Sequence, residues 1–267
     1  MEIESGQIYI RIKSKQGSYF CIIMNKGYLS NKIPIGMYPY HLNRSIMDIK
    51  IKSCLEGARQ AEGLTVIIDV FRSSNTIITC LGQGADYVIP VGKLERAYQL
   101  KKDHPQYLLA GERNSQPPEG FDFSNSPSHV SKLDLSQKKV ILTTSAGTQG
   151  IVNAKDAEEI VIGSFANASA LVDYIQQKQP KTVTLAPMGF ASSEKAEEDE
   201  QCAFFLKERL LGRQPDLKEI TNKIRQSKGA ERLARIGRHD DLEFGLKVDL
   251  YKMVPRFNPY EQHIRKA

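Results

Sequence analysis

From Asp48 onward the chain switches repeatedly between two hydrophobic periods. Asp48–Lys52 alternates like an edge strand, whereas Leu64–Ile68 is almost continuously apolar and predicts a strand buried on both faces. Ala85–Val91, Tyr107–Ala110, Val140–Thr143, Glu159–Gly163 and Thr182–Pro187 predict further strands. Between them, Cys54–Ala61, Thr76–Gln83, Leu94–Lys102, Thr148–Ala154 and Ala166–Gln177 carry helical spacing, and Ala196–Leu211 predicts a long amphipathic helix. Residues 111–127 read as a long polar loop. Beyond about Arg213 the tail is polar and helix-like, with strand-like pieces around Phe244–Leu250. Strands alternating with helices imply an α/β fold in three layers, α/β/α, around a mainly parallel sheet.

Residues 1–46 break this pattern, with scattered Gly, Pro and Tyr and short β-prone pieces such as Gln7–Ile12. They hold Arg11, Lys13, Lys15, Lys26, Lys32 and Arg44 against Glu2 and Glu4, which is +4 of the formal +6. The other 221 residues, 47–267, therefore carry only +2 and no Lys/Arg run with interleaved aromatics, which argues against a nucleic-acid partner. Residues 1–46 are expected to be an N-terminal extension, flexible or outside the core, with 47–267 as the working domain and Met47 readable as a start. No apolar run approaches the roughly 18–20 residues of a membrane helix. Tyr19–Met24 lacks the basic start and cleavage-like end of a signal peptide. Cysteines 21, 54, 80 and 202 form no C-x-x-C pair, so four reduced cysteines in a cytoplasmic protein are expected.

The candidate chemistry starts where the strand at 64–68 ends, in Asp69-Val70-Phe71-Arg72-Ser73-Ser74-Asn75. Ligands of open α/β sheets bind at the carboxyl ends of strands, and helix N-termini offer free N–H groups to anions. A carboxylate suited to a metal, beside Arg72, Ser73 and Ser74 suited to an oxyanion, points to phosphate chemistry. The run Thr143–Thr148 repeats the grammar. Thr144, Ser145, Gly147 and Thr148 would make an anion cradle, or else only a strand–helix turn. Glu112 and Arg113 read as site residues or as a solvated ion pair. Asp122 reads as a metal ligand or a loop brace, and Asn125 with Ser126 as anion contacts or a turn before Pro127. Glu197–Glu200 is either an acidic first turn favoured by the helix dipole or a cluster of oxygen ligands for Mg²⁺. Gly82-Gln83-Gly84 is not a dinucleotide fingerprint, because Tyr87 takes the third glycine position and a strand follows instead of preceding it.

Taken in order, Asp69–Asn75, Gly111-Glu112-Arg113, Gly120–Pro127, Thr143–Thr148 and Glu197–Ala203 resemble the 2-phosphosulfolactate phosphatase (ComB-like) family, from about Met47 to about Gly212. The resemblance implies a magnesium-dependent phosphatase that converts (2R)-2-phospho-3-sulfolactate to 3-sulfolactate and phosphate, on the route to coenzyme M. It implies catalytic roles for Asp69, Arg72, Glu112 and Arg113. It implies substrate contacts from Ser73, Ser74, Asn125, Ser126, Thr144, Ser145, Gly147 and Thr148, and metal ligation among Asp69, Asp122, Glu198 and Asp199. The expected partner is a small phosphorylated and sulfonated acid, with no membrane or nucleic acid, and a homodimer stays open. Many relatives carry Asn where this chain has Ala146. Another small phosphorylated acid, or a non-catalytic anion-binding role, therefore remains as an alternative. Arg72 is expected to act by charge placement, with little effect on stability when replaced.

Overall fold

The computed structural model describes residues 2–4, 7–13, 19–25 and 47–267. The chain divides into two units, Met1–Ser45 and Ile46–Ala267. In the first, β1 (Glu2–Glu4), β2 (Gln7–Lys13) and β3 (Tyr19–Asn25) form a three-stranded antiparallel sheet. The β-prone piece at Gln7–Ile12 thus lies in β2, while residues 1, 5–6, 14–18 and 26–46 of the proposed extension lie outside the described residues.

The second unit begins with β4 (Asp48–Ile51), α1 (Cys54–Arg59), β5 (Gly63–Ile68), α2 (Ser73–Gly82), β6 (Tyr87–Pro90), α3 (Leu94–Asp103) and β7 (Leu108–Gly111). It continues through β8 (Phe123–Ser124), α4 (Pro127–Val130), β9 (Lys139–Thr143), α5 (Gly147–Asn153), β10 (Ala157–Gly163), α6 (Ala168–Lys178), β11 (Thr182–Pro187) and α7 (Glu197–Leu210). Three further helices, α8 (Leu217–Arg225), α9 (Lys228–Arg235) and α10 (His239–Gly245), precede a closing pair, β12 (Pro255–Asn258) and β13 (His263–Lys266). A ten-stranded sheet runs in the order β4-β11-β5-β10-β12-β13-β6-β9-β7-β8. Helices on both faces make it three-layered, as the alternation of periods predicts.

Every residue of β5 is buried, because its side chains serve two cores. Leu64, Val66 and Ile68 pack with Leu171 and Val172 of α6 and with Cys202, Ala203 and Leu206 of α7. Ile67 points the other way, toward Ile77, Ile78 and Leu81 of α2 and Ile151 of α5. The period-two geometry of a strand sends successive side chains to opposite faces, so an unbroken apolar run is what a strand covered on both faces requires.

The sheet departs from the expected parallel run at its middle. β4, β11, β5 and β10 are parallel, as are β6, β9, β7 and β8. Between these halves, β12 and β13 pair antiparallel with each other and with β10 and β6. Three antiparallel steps leave the halves formally opposed. Yet the carboxyl ends of β5 and β9 meet, since Gly147 N donates to Asp69 Oδ2 at 2.9 Å.

The strand-like reading of Phe244–Leu250 is corrected. Phe244 and Gly245 close α10, and the segment after them is pinned by single bonds to another turn: Asp249 N donates to Phe165 O and Tyr251 N to Ala166 O. Asp249 sits at φ 56°, which breaks an extended run. β8 and α4 fall within or against the predicted loop at 111–127, because both are too short to show a period.

Candidate active site

The register sets the site. Ile68 lies opposite Gly163 and Pro187, so β5, β10 and β11 end level. Gly111 lies opposite both Thr143 and Ser124, so β7, β8 and β9 also end level. Where the two sets of carboxyl ends face each other there is a cavity of about 280 Å³. Asp69, Arg72, Glu112, Asn125, Ser145 and Arg232 give it its polar lining, with Ala146 and Phe190 among the apolar wall. Two larger cavities, of about 660 and 720 Å³, lie elsewhere. The small one gathers the buried carboxylates and arginines at the strand ends, and we take it as the site.

Asp69 is buried, with Oδ2 held by Gly147 N. Burial lifts its carboxyl from 3.8 to about 6; the backbone N–H groups of Ser73 and Gly147 oppose the rise, while the charges of Glu112 and Glu198 add to it. Asp199 joins two strand ends to α7, accepting from Val70 N at 2.7 Å and Gly189 N at 2.8 Å. Burial raises its carboxyl well above the ordinary value, and Asp69 and Glu198 push it further. Glu198 is also raised by burial, against the pull of Arg232 and Ser227. Its Oε1 lies 3.7 Å from Arg232 Nη2. The acidic first turn of α7 is therefore divided: Glu197 faces solvent, while Glu198 and Asp199 face the site.

Glu112 reaches the cavity from the other half of the sheet, accepting from Ser145 N at 2.7 Å and Ser115 N at 2.9 Å. The two halves of the sheet are tied again by Ser192 Oγ, which donates to Ser145 O at 2.9 Å. Of the buried polar atoms without a partner among the described residues, two lie at the site: Asn125 Oδ1, on a residue lining the cavity, and Ser73 Oγ, against Gly147. A buried polar group without a partner costs free energy, so both are open to a ligand.

The structure brings together Asp69, Arg72, Glu112, Asn125 and Ser145, with Gly147 adjoining and Glu198 and Asp199 behind. Other predicted residues build the frame. Arg113 does not line the cavity; it donates to Thr143 Oγ1 at 2.7 Å, Glu112 O at 2.7 Å and Gly92 O at 3.2 Å. Asp122 accepts from Leu109 N at 2.7 Å and lies 3.5 Å from Lys101 Nζ, so it braces its loop, apart from the other carboxylates. Ser74 Oγ accepts from Asp69 N and donates to Ile67 O. Thr144 and Thr148 satisfy each other across the turn, and Ser126 Oγ donates to Asp241. Arg72 Nη1 pairs with the fully buried Asp241 at 2.9 Å, a partner that nothing in the sequence indicated. Arg232 was equally hidden, as one of several basic positions in an amphipathic tail. Its guanidinium carbon stands 4.5 Å from the Phe190 ring centroid.

Among the described residues no three His, Cys, Asp or Glu side chains converge as a ready metal cage. Mg²⁺ rarely uses one: it keeps several waters and takes one or two carboxylates plus substrate phosphate oxygens. The charges of Glu112 and Glu198 push the Asp69 carboxyl up, those of Asp69 and Glu198 push up Asp199, and Arg232 is the cation beside Glu198. That excess of buried negative oxygen fits a hard divalent cation.

A family model described as 2-phosphosulpholactate phosphatase matches residues 50–259. A probable 2-phosphosulfolactate phosphatase of Thermotoga petrophila is 37% identical over 202 residues, covering 71% of this chain and 87% of that protein. One of Caldanaerobacter subterraneus subsp. tengcongensis is 34% identical over 213 residues, covering 72% and 86%. One of Synechocystis sp. is 28% identical over 240 residues, covering 82% and 95%.

Proposed function

The chain belongs to the 2-phosphosulpholactate phosphatase family, and we propose from that premise that it is a phosphoric monoester hydrolase acting on 2-phospho-3-sulfolactate. Water adds to phosphorus, the ester P–O bond breaks, and the leaving alkoxide takes up a proton, giving 3-sulfolactate and phosphate. The observation that carries this reading is the cavity at the meeting strand ends, where Asp69 and Glu112 face Arg72 and Arg232. Opposed carboxylates and guanidinium groups suit a multiply charged oxyanion and the water that attacks it.

Asp69, with Glu198 and Asp199 adding charge behind it, would hold Mg²⁺, which supplies Lewis acidity toward a phosphoryl oxygen. Glu112, fixed by two backbone donors, orients the attacking water and receives its proton. Arg72 and Arg232 neutralise charge on the phosphoryl and acid groups. Asn125 and Ser145 supply polar contacts from the loops after β8 and β9. Ala146 on the cavity wall favours a second reading, another small phosphorylated acid as substrate.

The deciding experiment is phosphate release, with Mg²⁺, from 2-phospho-3-sulfolactate, its sulfonate-free analogue 2-phospholactate and simple sugar phosphates. Highest kcat/KM on the sulfonated ester is expected. Preference for another acid would transfer the assignment to it, and inactivity on every ester would overturn the enzyme reading.

A further inference from the structure

We propose that Asp241 is a positioning residue that acts through Arg72, so the helical C-terminal segment completes the site. The inference rests on the phosphatase reading above. Asp241 lies in α10, 169 residues from Arg72 in sequence, and is fully buried. Its carboxylate gathers four donors. Oδ2 accepts from Arg72 Nη1 at 2.9 Å, and Oδ1 accepts from Ser126 Oγ at 2.7 Å, Ser128 Oγ at 2.6 Å and Ser128 N at 3.1 Å. One side chain thus fixes both the arginine at the end of β5 and the loop that carries Asn125, and both line the cavity.

Placement of this anion solves a problem that the site creates. Arg72 shares a 280 Å³ cavity with Asp69 and Glu112. A guanidinium on a flexible stem would fall onto those carboxylates and cancel the charges that substrate and water need. Among the described residues Arg72 bonds instead to Asp241 alone through its side chain. Asp241 takes one edge of the planar fork and leaves the rest on the cavity. The close approach is built in: a Cβ at Gly245, four residues on, would come within 2.7 Å of the Phe71 ring, next to Arg72 in the chain.

The test is a double-mutant cycle of Arg72→Ala and Asp241→Asn in the full chain, read by kcat/KM on 2-phospho-3-sulfolactate and by inorganic phosphate affinity. Asp241→Asn keeps shape and most hydrogen bonding while removing the charge. We expect it to lower kcat/KM by about 10–100-fold, and to have no further effect when Arg72 is already alanine. Phosphate affinity should respond to Asp241→Asn only while Arg72 is present. Normal kcat/KM in folded Asp241→Asn protein, or losses that add in the double variant, would overturn the proposal. If Asp241→Asn does not fold, Ser128→Ala removes one donor from the same carboxylate. A drop of about 2–5-fold that disappears in the Arg72→Ala background is then expected, and a drop that persists there would sink the idea. Wild-type protein that hydrolyses no ester would refute the phosphatase reading, and the phosphate-affinity cycle would still decide the role of Asp241.

Discussion

At the scale of single residues, burial changes what Arg72 is for. Its position after Asp69 reads as an oxyanion-site charge donor whose loss would change stability little. The structure instead seals it against Asp241, with 4% and 0% of the side chains exposed. Removing one partner of a buried pair strands the other's charge and costs about 3–5 kcal/mol. Arg72→Ala should therefore lower the melting temperature as well as reduce kcat/KM by about 10²–10³-fold. Arg72→Lys should fall between, since the charge stays but the fork is lost. Calorimetry and turnover on both variants check this; unchanged melting would show that the pair does not support the fold. Asp69 makes the opposite prediction. Its carboxyl binds a proton more readily folded, at about 6, than the ordinary 3.8, chiefly because burial penalises the charge. The stability this brings is complete below about pH 4 and is lost as pH rises through about 6. Metal-free protein should thus melt higher at about pH 5 than at about pH 8. Asp69→Asn should be inactive yet more stable than wild type at the higher pH, by at most on the order of 3 kcal/mol. Melting curves in EDTA at the two pH values decide, and destabilisation by Asp69→Asn at pH 8 would count against it.

At the scale of elements, the turn from β9 into α5 works only because its first helical residue has no side chain. A Cβ at Gly147 would lie 2.6 Å from Ser73 Oγ and 2.9 Å from Asp69 Oδ2. Gly147→Ala should cost about 1–3 kcal/mol of stability by overpacking and lower turnover by moving Asp69. Wild-type kcat/KM in that variant would show that the contact tolerates movement. The sequence made this turn legible, since a strand, three hydroxyls and a glycine before a helix state their own geometry. The same holds for β5 with Asp69, and for the acidic turn of α7. Which members of that turn face inward was not legible, because helix phase depends on packing against β5 and β11. Arg113, Ser74, Thr144 and Thr148 look identical in sequence to ligand contacts, yet spend their donors on backbone and turn. The short β12 and β13 carry too few residues to show a period, and pairing supplies what local pattern does not. Asp241 and Arg232 come from a helical tail whose meaning appears only when it folds back onto the cavity.

At the scale of the whole molecule, two parallel half-sheets meet through an antiparallel pair, and their strand ends enclose the chemistry from two sides. Neither half has the site alone, since Asp69 comes from one and Glu112 from the other. The buried negative charge at the junction predicts that EDTA abolishes turnover and Mg²⁺ restores it; full activity in excess chelator would refute the metal role. All residues of the proposed site lie between Asp69 and Asp241, inside the unit Ile46–Ala267. The family match also begins at residue 50. Residues 1–46 hold +4 of the formal +6 and none of the residues of the proposed site. A chain beginning at Met47 should therefore fold, melt near the full-length protein, and keep kcat/KM within about 3-fold, a difference of about 0.7 kcal/mol. β4, which starts at Asp48, pairs with β11 at the edge of the large sheet, so the cut falls just before the first strand that the core needs. Loss of solubility or of turnover in the shortened chain would show that the first 46 residues support the sheet edge or the site.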